Sequence, residues 1–122
     1  MFGPAGKIYV YFTYGKHWCV NIVTGKEDDG QAVLIRSIQA THNLELVRQR
    51  RKNKSDTELT NGPAKVCQAM AITGADYGQI IGNGRFFLLP SKKTNKLTIK
   101  ATTRIGITRD THRMWRFILQ NR

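Results

Sequence analysis

Arg36 is the residue whose type and position most clearly suggest chemistry. It lies in a strand-like segment, and in the two-residue period of a strand it shares a face with Leu34 and Ile38. That face should be buried, and a buried guanidinium requires a partner. We therefore predict either an internal salt bridge, with Glu45 or Asp56 as the acid, or a site arginine that holds a phosphate, a water molecule or a catalytic carboxylate.

A second group of candidate residues is aromatic. Tyr9, Tyr11 and Tyr14 lie in one segment, and Trp18 follows closely. Such a group forms either a cross-strand cluster in the core or a platform on which unstacked bases lie. Tyr14 stands beside Gly15 at the expected tip of a hairpin, where a large apolar group is hard to bury. An exposed ring at that place suits a wedge between base pairs.

Two polar positions also need an explanation. Asn21 interrupts a strand of aromatic and branched residues, so it lies at an edge or makes a specific polar contact. Lys65 stands in the first turn of a helix that Gly62 and Pro63 begin, where the helix dipole disfavours a cation. Together with free backbone N–H groups it would clamp a phosphate. The alternative is an ordinary Gly-Pro helix start, and the pattern is not that of a Walker loop.

The charge of the chain points to a polyanionic partner. The 122 residues contain 20 Lys and Arg against 8 Asp and Glu, which gives a net charge of +12. Self-repulsion on this scale favours nucleic acid as the partner over a merely solubilising surface or a passive place in a ribosome-like particle. Residues 48–54 hold five basic side chains, Arg51 among them. They form either a solvated helix end or a patch that faces phosphates.

Several classes of protein are disfavoured. Cys19 and Cys67 are too few for a disulfide framework and have no zinc spacing, so we expect a reducing compartment. The histidines, at positions 17, 42 and 112, show no metal-ligand spacing either, and we expect no metal. No apolar run approaches the roughly 18 residues of a membrane helix, and no signal peptide is recognisable after the first residue.

The elements that must position these residues are mostly strands. Strands are predicted over residues 7–14, 17–23 and 31–38, with a turn at 15–16, and then over 86–89, 97–103, 105–107 and 115–119. Helices are predicted from Thr41 or Asn43 to about Arg51 and from Gly62–Pro63 through Ile72. This order predicts one α+β domain over residues 1–122. It would be a partly open antiparallel β-barrel or curved sheet with two short helices.

Five segments together resemble a known family. They are Ile-Tyr-Val-Tyr-Phe-Thr-Tyr-Gly at 8–15, Cys-Val-Asn-Ile at 19–22, Val-Leu-Ile-Arg at 33–36, Gly-Pro-Ala-Lys-Val-Cys-Gln-Ala-Met-Ala-Ile at 62–72 and Arg-Ile-Gly-Ile at 104–107. In order and spacing they are similar to the alkyladenine (3-methyladenine) DNA glycosylases. The resemblance covers nearly the whole chain but only about the C-terminal two thirds of the family domain.

The resemblance implies base-excision repair. The reaction is hydrolysis of the N-glycosidic bond of an alkylated purine, such as 3-methyladenine, that is flipped out of double-stranded DNA. It implies a fold similar to the formyltransferase C-terminal domain, a monomer, and no metal or cofactor. The expected location is the cytoplasm, at the nucleoid, of a bacterium, or the nucleus of a eukaryote.

The resemblance also assigns roles to the residues of a base pocket. Tyr11 matches the aromatic that stacks on the extruded base, and Asn21 matches the residue that disfavours the amino group of guanine. Arg36 matches the arginine that helps to hold the nucleophilic water. Ile105 matches the residue whose backbone carbonyl contacts that water.

A further set is expected to contact the DNA outside the pocket. Tyr14 matches the hairpin side chain that fills the space left in the duplex, and Lys65 matches a contact to the DNA backbone. We add Lys16 and His17 of the hairpin, and Arg51 of the basic run, as DNA contacts.

The family's general base has no match in this chain. It is a Glu in a Glu-any-Tyr motif upstream of the aromatic strand, a place that would precede Met1. None of the eight carboxylates, of which Glu27 is the first, matches it. We expect either a fragment of a longer domain or a naturally shortened relative. The second alternative is a catalytically silent DNA-binding module, and a third is an RNA-binding domain of ribosomal type.

The two pocket candidates on the hairpin impose a condition on its turn. With a two-residue turn at 15–16, Tyr11 would pair with Val20, and Asn21 would lie on the other face. If Tyr11 and Asn21 line one pocket, the hairpin needs a three-residue loop or a bulge. We predict that Tyr11 and Asn21 lie across from each other.

Overall fold

The computed structural model describes residues 4–13, 15–26, 28, 30–90, 98–105 and 109–120. The chain divides into two compact units. Unit 1 is Met1–Leu88 and unit 2 is Leu89–Arg122. The single domain over residues 1–122 stays a prediction.

Unit 1 is built on a three-stranded antiparallel sheet in the order β1-β2-β3. The strands are β1 (Ile8–Thr13), β2 (His17–Thr24) and β3 (Gln31–Leu34). Aromatic and β-branched residues dominate β1 and β2, which explains why both strands form where the sequence predicts them. β3 is shorter than predicted, since regular pairing ends at Leu34. Ile35 still donates its backbone N–H to the Val20 carbonyl at 3.1 Å.

Unit 1 also contains two helices. They are α1 (Leu44–Arg50) and α2 (Pro63–Met70). Both lie where the sequence predicts a helix, and Pro63 begins α2 as expected because its missing N–H needs no partner there. Val66 and Cys67 of α2 are buried against Val10 and Val20 of the sheet. The other sheet face, which carries Tyr9 and Tyr11, therefore points away from α2.

Unit 2 contains one pair of antiparallel strands, β4 (Thr98–Thr102) and β5 (Arg116–Gln120). The strand predicted over residues 86–89 is wrong, because these residues form no ladder and Phe87, Leu88 and Leu89 are largely exposed. A run of apolar residues without alternation does not by itself distinguish a strand from a loop. Ile105 lies in a bend, and the rest of the strand predicted at 105–107 falls outside the described residues.

The α+β class with two helices is therefore confirmed. The described strands form two small antiparallel sheets, and neither of them closes into a barrel. The formyltransferase-like fold stays a prediction. In the described part of the chain, every helix is too short or too polar to cross a membrane.

Arginines of the basic run make hydrogen bonds within unit 1. Arg51 is only 8% exposed. Its Nε donates to the Leu59 carbonyl at 2.9 Å, its Nη2 to the Glu58 carbonyl at 3.2 Å, and its Nη1 to Gln68 of α2. These bonds join the end of α1 to the following turn and to α2. Three of the five guanidinium N–H groups are thus bonded within unit 1, and the DNA contact of Arg51 stays a prediction.

The neighbouring arginines are engaged as well. Arg48 forms a two-pronged ion pair with Asp56, at 2.9 and 3.0 Å, and Arg50 donates to the Ala69 carbonyl near the end of α2 at 3.1 Å. The pairing lowers the pKa of the Asp56 carboxyl, chiefly through the hydrogen bond from Arg48. Lys52 and Lys54 are the exposed cations of the run.

Arg51→Met is expected to lower the free energy of unfolding by about 2–4 kcal/mol, because one buried and two partly buried hydrogen bonds are lost. Urea titration measures this change. Lys52→Met, at the next and exposed position, is the matched control and should stay within about 0.5 kcal/mol of the unaltered chain. Equal stability of the two variants would contradict the structural role of Arg51.

Candidate functional site

The hairpin between β1 and β2 decides which side chains share a face. Thr13 pairs with His17, so the loop has three residues, 14–16, as one of the two predicted solutions requires. Tyr11 then lies directly opposite Cys19, and Tyr9 lies directly opposite Asn21. Tyr11 and Asn21 share a face, as a common pocket needs. The prediction that they lie directly across from each other is wrong, because they are diagonal neighbours.

The same register continues into the segment after β3. Asn21 pairs with Leu34, and the hydrogen bond from Ile35 to Val20 extends the alignment by one residue. Arg36 therefore comes next to Cys19 on the face that carries Tyr11. The site is a row of three residues across the sheet, Tyr11–Cys19–Arg36, which we call the site row.

Cys19 shows that the members of the site row are neighbours. Its side chain is 6% exposed, and it shares a hydrogen bond with the Tyr11 side chain. Burial raises the pKa of the Cys19 thiol, while the Tyr11 hydrogen bond and the positive charge of Arg36 oppose that rise. This effect of Arg36 agrees with its position next to Cys19 in the sheet register.

Arg36 has no internal salt bridge among the described residues. The ion pairs of that part of the chain are Arg48–Asp56, Arg85–Asp76 and Arg113–Asp110. Asp56, one of the two acids that we considered for Arg36, pairs with Arg48, so the predicted salt bridge between Arg36 and Asp56 is wrong. Arg36 is partly buried, and it presents a cation on the same face as an aromatic ring.

Aromatic rings form a wall beside the site row. The ring centroids of Tyr9 and Tyr11 are 5.7 Å apart, and Tyr77 meets Tyr9 edge-on at 5.5 Å and 87°. The Nζ of Lys7 lies 5.7 Å from the centre of the Tyr77 ring. These distances suit favourable ring–ring and cation–π contacts.

Sequence reasoning missed Tyr77 and misplaced Trp18. Tyr77 is far from β1 along the chain and belongs to no periodic pattern, so no local signal indicates it. Trp18 was grouped with the tyrosines, but it lies on the opposite sheet face, where its ring meets Phe12 at 4.7 Å. Strand alternation explains the difference, because position 18 has the parity of Val20 and not of Cys19.

A short turn fixes the position of Tyr77. Asp76 is buried and accepts hydrogen bonds from Arg85, with both oxygens at 2.8 Å, and from the Thr73 backbone N–H at 3.1 Å. Gly78 donates its N–H to the Ile8 carbonyl at 2.8 Å, which attaches the segment to β1. Tyr77 is thereby held between two anchored residues beside Tyr9.

Asn21 is a buried polar residue in the middle of the sheet. It is 6% exposed and belongs to the central strand, so the predicted alternative of an edge position is wrong. Its Nδ2 lies 3.5 Å from the Tyr9 carbonyl, which is at the limit for a hydrogen bond. Its amide therefore keeps capacity for a further polar partner on the site face.

The remaining candidate residues lie elsewhere. Lys16 and His17 are exposed at the hairpin, and Tyr14 lies outside the described residues. Lys65 donates to Asn61 Oδ1 at 2.7 Å from α2, which packs on the sheet face opposite the site row. Ile105 belongs to unit 2 and is 52% exposed.

The described residues contain no group of three or more His, Cys, Asp or Glu side chains that could hold a metal ion. The chemistry of the site row is that of one cation, one thiol and one ring. It can stack a planar group and donate hydrogen bonds to it or to a water beside it.

Comparison with known proteins identifies the family of the chain. The family model described as methylpurine-DNA glycosylase (MPG) matches residues 1–122. A protein of Rhodopseudomonas palustris is 43% identical over 121 residues, which are 99% of this chain and 58% of that protein. One of Carboxydothermus hydrogenoformans is 39% identical over 122 residues, 99% of this chain and 64% of that protein. Both carry the name "Putative 3-methyladenine DNA glycosylase".

The chain belongs to the methylpurine-DNA glycosylase family. A third relative, from Agrobacterium fabrum, has the same printed name and is 42% identical over 120 residues, 98% of this chain and 60% of that protein. The chain thus spans about three fifths of the length of these curated relatives.

The site row can be tested through the thiol of Cys19. Tyr11→Phe is expected to raise the pKa of Cys19 further, because it removes a hydrogen bond that favours the thiolate. The Cβ chemical shifts of the two cysteines, followed by NMR against pH, report each thiol separately. Tyr9→Phe is the matched control, since Tyr9 faces Asn21. An unchanged Cys19 titration in Tyr11→Phe would contradict the contact.

Proposed function

We propose that this chain recognises alkylated purines in duplex DNA as part of a base-excision glycosylase. The observation that carries the proposal is the site row, in which the sheet register places Cys19 between Tyr11 and Arg36 on one face. A base stacked on Tyr11 would lie beside a fixed donor of hydrogen bonds. Membership in the family supports DNA as the polymer that presents this base.

Base flipping explains why such a row is useful. A purine inside a duplex is not accessible, and its extrusion costs a few kcal/mol. Stacking on an aromatic side chain offsets about 1–3 kcal/mol of that cost. Tyr11 is 36% exposed, so its ring is available to a flipped base. We assign Tyr14 as the wedge in the vacated space, with Lys16 and His17 beside it on the flanking phosphates.

Arg36 and Asn21 have different tasks in this proposal. Arg36 donates hydrogen bonds to the water that attacks the sugar carbon, and the role of the Ile105 carbonyl stays a prediction. Asn21 lies one residue pair from Tyr11 and crowds the amino group of guanine, which disfavours undamaged guanine. Lys65 contacts the DNA backbone away from the pocket. The relatives are bacterial, which favours the cytoplasm, at the nucleoid, as the location.

A second function has an observation in its favour. Removal of a proton from water requires a base, and an arginine does not serve as one at neutral pH. Among the described residues, the site row itself contains no carboxylate, and Arg36 has no carboxylate partner. A chain with only this row would bind the lesion without breaking the glycosidic bond. The alternative is therefore a catalytically silent reader of damaged DNA.

One duplex distinguishes these functions. We expect the chain to bind a duplex with a single ethenoadenine more tightly than the same duplex with adenine, measured by fluorescence anisotropy at fixed salt. Release of the free base, followed by chromatography, identifies the enzyme. Lesion-dependent binding without release identifies the silent reader. Equal affinity for both duplexes would refute both functions, and tighter binding to RNA than to either duplex would favour the RNA-binding alternative.

Two neighbouring rings provide a matched pair of variants. Tyr11→Ala should reduce the preference for ethenoadenine by about ten- to hundredfold, which corresponds to the loss of one base–aromatic stack. Phe12→Ala removes an equally large exposed ring from the next position of β1, but on the opposite sheet face. It should leave the preference within about twofold, since it touches no stacked base. A similar loss in both variants would show that Tyr11 acts only through stability.

A further inference from the structure

The positive charge of the chain is concentrated in unit 2. Residues 89–122 contain nine Lys and Arg but only one acid, Asp110, so they supply +8 of the net charge of +12. Unit 1, which holds the site row, is more than twice as long and carries the remaining +4. A small two-stranded unit with such a charge has little apolar core of its own to balance the repulsion. An anionic partner on unit 2 would relieve it.

Two arginines of unit 2 are stacked on one tryptophan. The guanidinium carbon of Arg113 lies 4.7 Å from the centre of the Trp115 ring, and that of Arg104 lies 5.2 Å from it. Trp115 is 53% exposed. A stacked guanidinium uses its flat face on the ring and keeps its edge free to donate hydrogen bonds. Contact with the ring also restricts the arginine side chain beforehand, so less conformational entropy is lost when it binds an anion.

The donors of this cluster are only partly satisfied within unit 2. Arg104 donates from Nη2 to the Arg109 carbonyl at 3.0 Å, but its Nε is buried and has no partner among the described residues. Arg113 lies 3.5 Å from Asp110, and both side chains are about half exposed. An exposed ion pair of this length is weak and leaves the arginine able to bind another anion.

The sheet of unit 2 adds cations on one face. Thr102 pairs with Arg116 and Lys100 pairs with Ile118, so Lys100 and Arg116 lie on the same face. The Nη1 of Arg116 reaches Thr102 Oγ1 at 3.4 Å. Lys100 is exposed. The cations of the sheet and of the tryptophan cluster therefore belong to one small unit.

We propose that unit 2 is a surface for the phosphate backbone of duplex DNA, with Lys100, Arg116 and the Arg104–Trp115–Arg113 cluster as its contacts. The choice of DNA as the polymer rests on the proposed function. The surface reads neither base sequence nor lesion, because phosphates are the same at every position. It supplies affinity, while the site row of unit 1 supplies the preference for damaged bases.

The first test measures the binding of two double variants to undamaged duplex DNA, and each variant lacks two positive charges of the protein. Lys100→Gln with Arg113→Gln removes two charges from unit 2, and Lys52→Gln with Lys54→Gln removes two exposed charges from unit 1. The slope of log Kd against log salt should fall by about 0.9 for each phosphate that the first variant no longer neutralises. The second variant should keep most of the slope. An equal fall in the two variants would overturn the proposal, because then only total charge matters.

A second set of variants separates the ordered cluster from its charge. Arg104→Lys and Arg113→Lys keep the charge but lose the flat fork that stacks on Trp115 and binds two oxygens. We expect the salt slope to stay the same and the affinity to fall several-fold. Urea titration of every variant shows whether it is folded. Unchanged affinity in both lysine variants would overturn the role of the cluster.

The following outcomes distinguish a failure of this proposal from a failure of the proposed function. Unaltered chain that binds both duplexes equally, together with a smaller salt slope in the unit 2 variant, would refute lesion recognition and support the DNA surface. Unchanged lesion preference in the unit 2 variants, at lower overall affinity, supports both. Binding to vesicles that contain anionic lipid tests whether unit 2 binds a polyanion other than DNA. Vesicle binding as tight as DNA binding at the same salt would overturn the assignment to DNA.

Discussion

The number of residues in the first hairpin loop is the constraint on which the site depends. Because the loop has three residues, Tyr11 faces Cys19, and Val10 faces Val20. A loop one residue shorter would move every side chain of β2 to the other face relative to β1. It would take Val20, which is 4% exposed, out of the core, at a cost of about 1.5–3 kcal/mol for a side chain of that size. Burial of the core and assembly of the site row thus demand the same register.

A net charge of +12 does not show where a polyanion binds. Arg48, Arg50 and Arg51 look like a basic patch in the sequence, yet they bond to an acid, a helix end and two carbonyls within unit 1. Arginine suits this use because its planar fork presents five N–H donors in a fixed geometry, against three on the flexible side chain of lysine. Whether a cation can meet a phosphate therefore depends on its hydrogen-bond partners. Unit 2 carries +8 of the net charge of +12.

Local signals predicted the parts of the fold that local physics determines. The alternation of β1 and β2 and the proline at the start of α2 follow from residue types within a few positions. The three-residue hairpin loop was predicted from the condition that Tyr11 and Asn21 line one pocket, whereas the local residues indicated a two-residue turn. Tyr77, the burial of Arg51 and the face of Trp18 depend on partners far along the chain, and no periodicity records them. The strand expected at residues 86–89 fails for a related reason, since apolar residues without a pairing partner do not make a ladder. Contacts between distant segments decide these features.

The site row separates recognition from hydrolysis in physical terms. Stacking on Tyr11 and donation from Arg36 both act on a flipped base or on water without transfer of a proton. Breaking the bond needs a group that accepts a proton within hydrogen-bond reach of that water. The row as described supplies a ring, a thiol with a raised pKa and a cation, and none of these is such a group at neutral pH. Under the proposed function, selectivity for damaged bases would therefore reside in β1, β2 and the segment after β3, and hydrolysis would require a base placed beside Arg36 from outside this row.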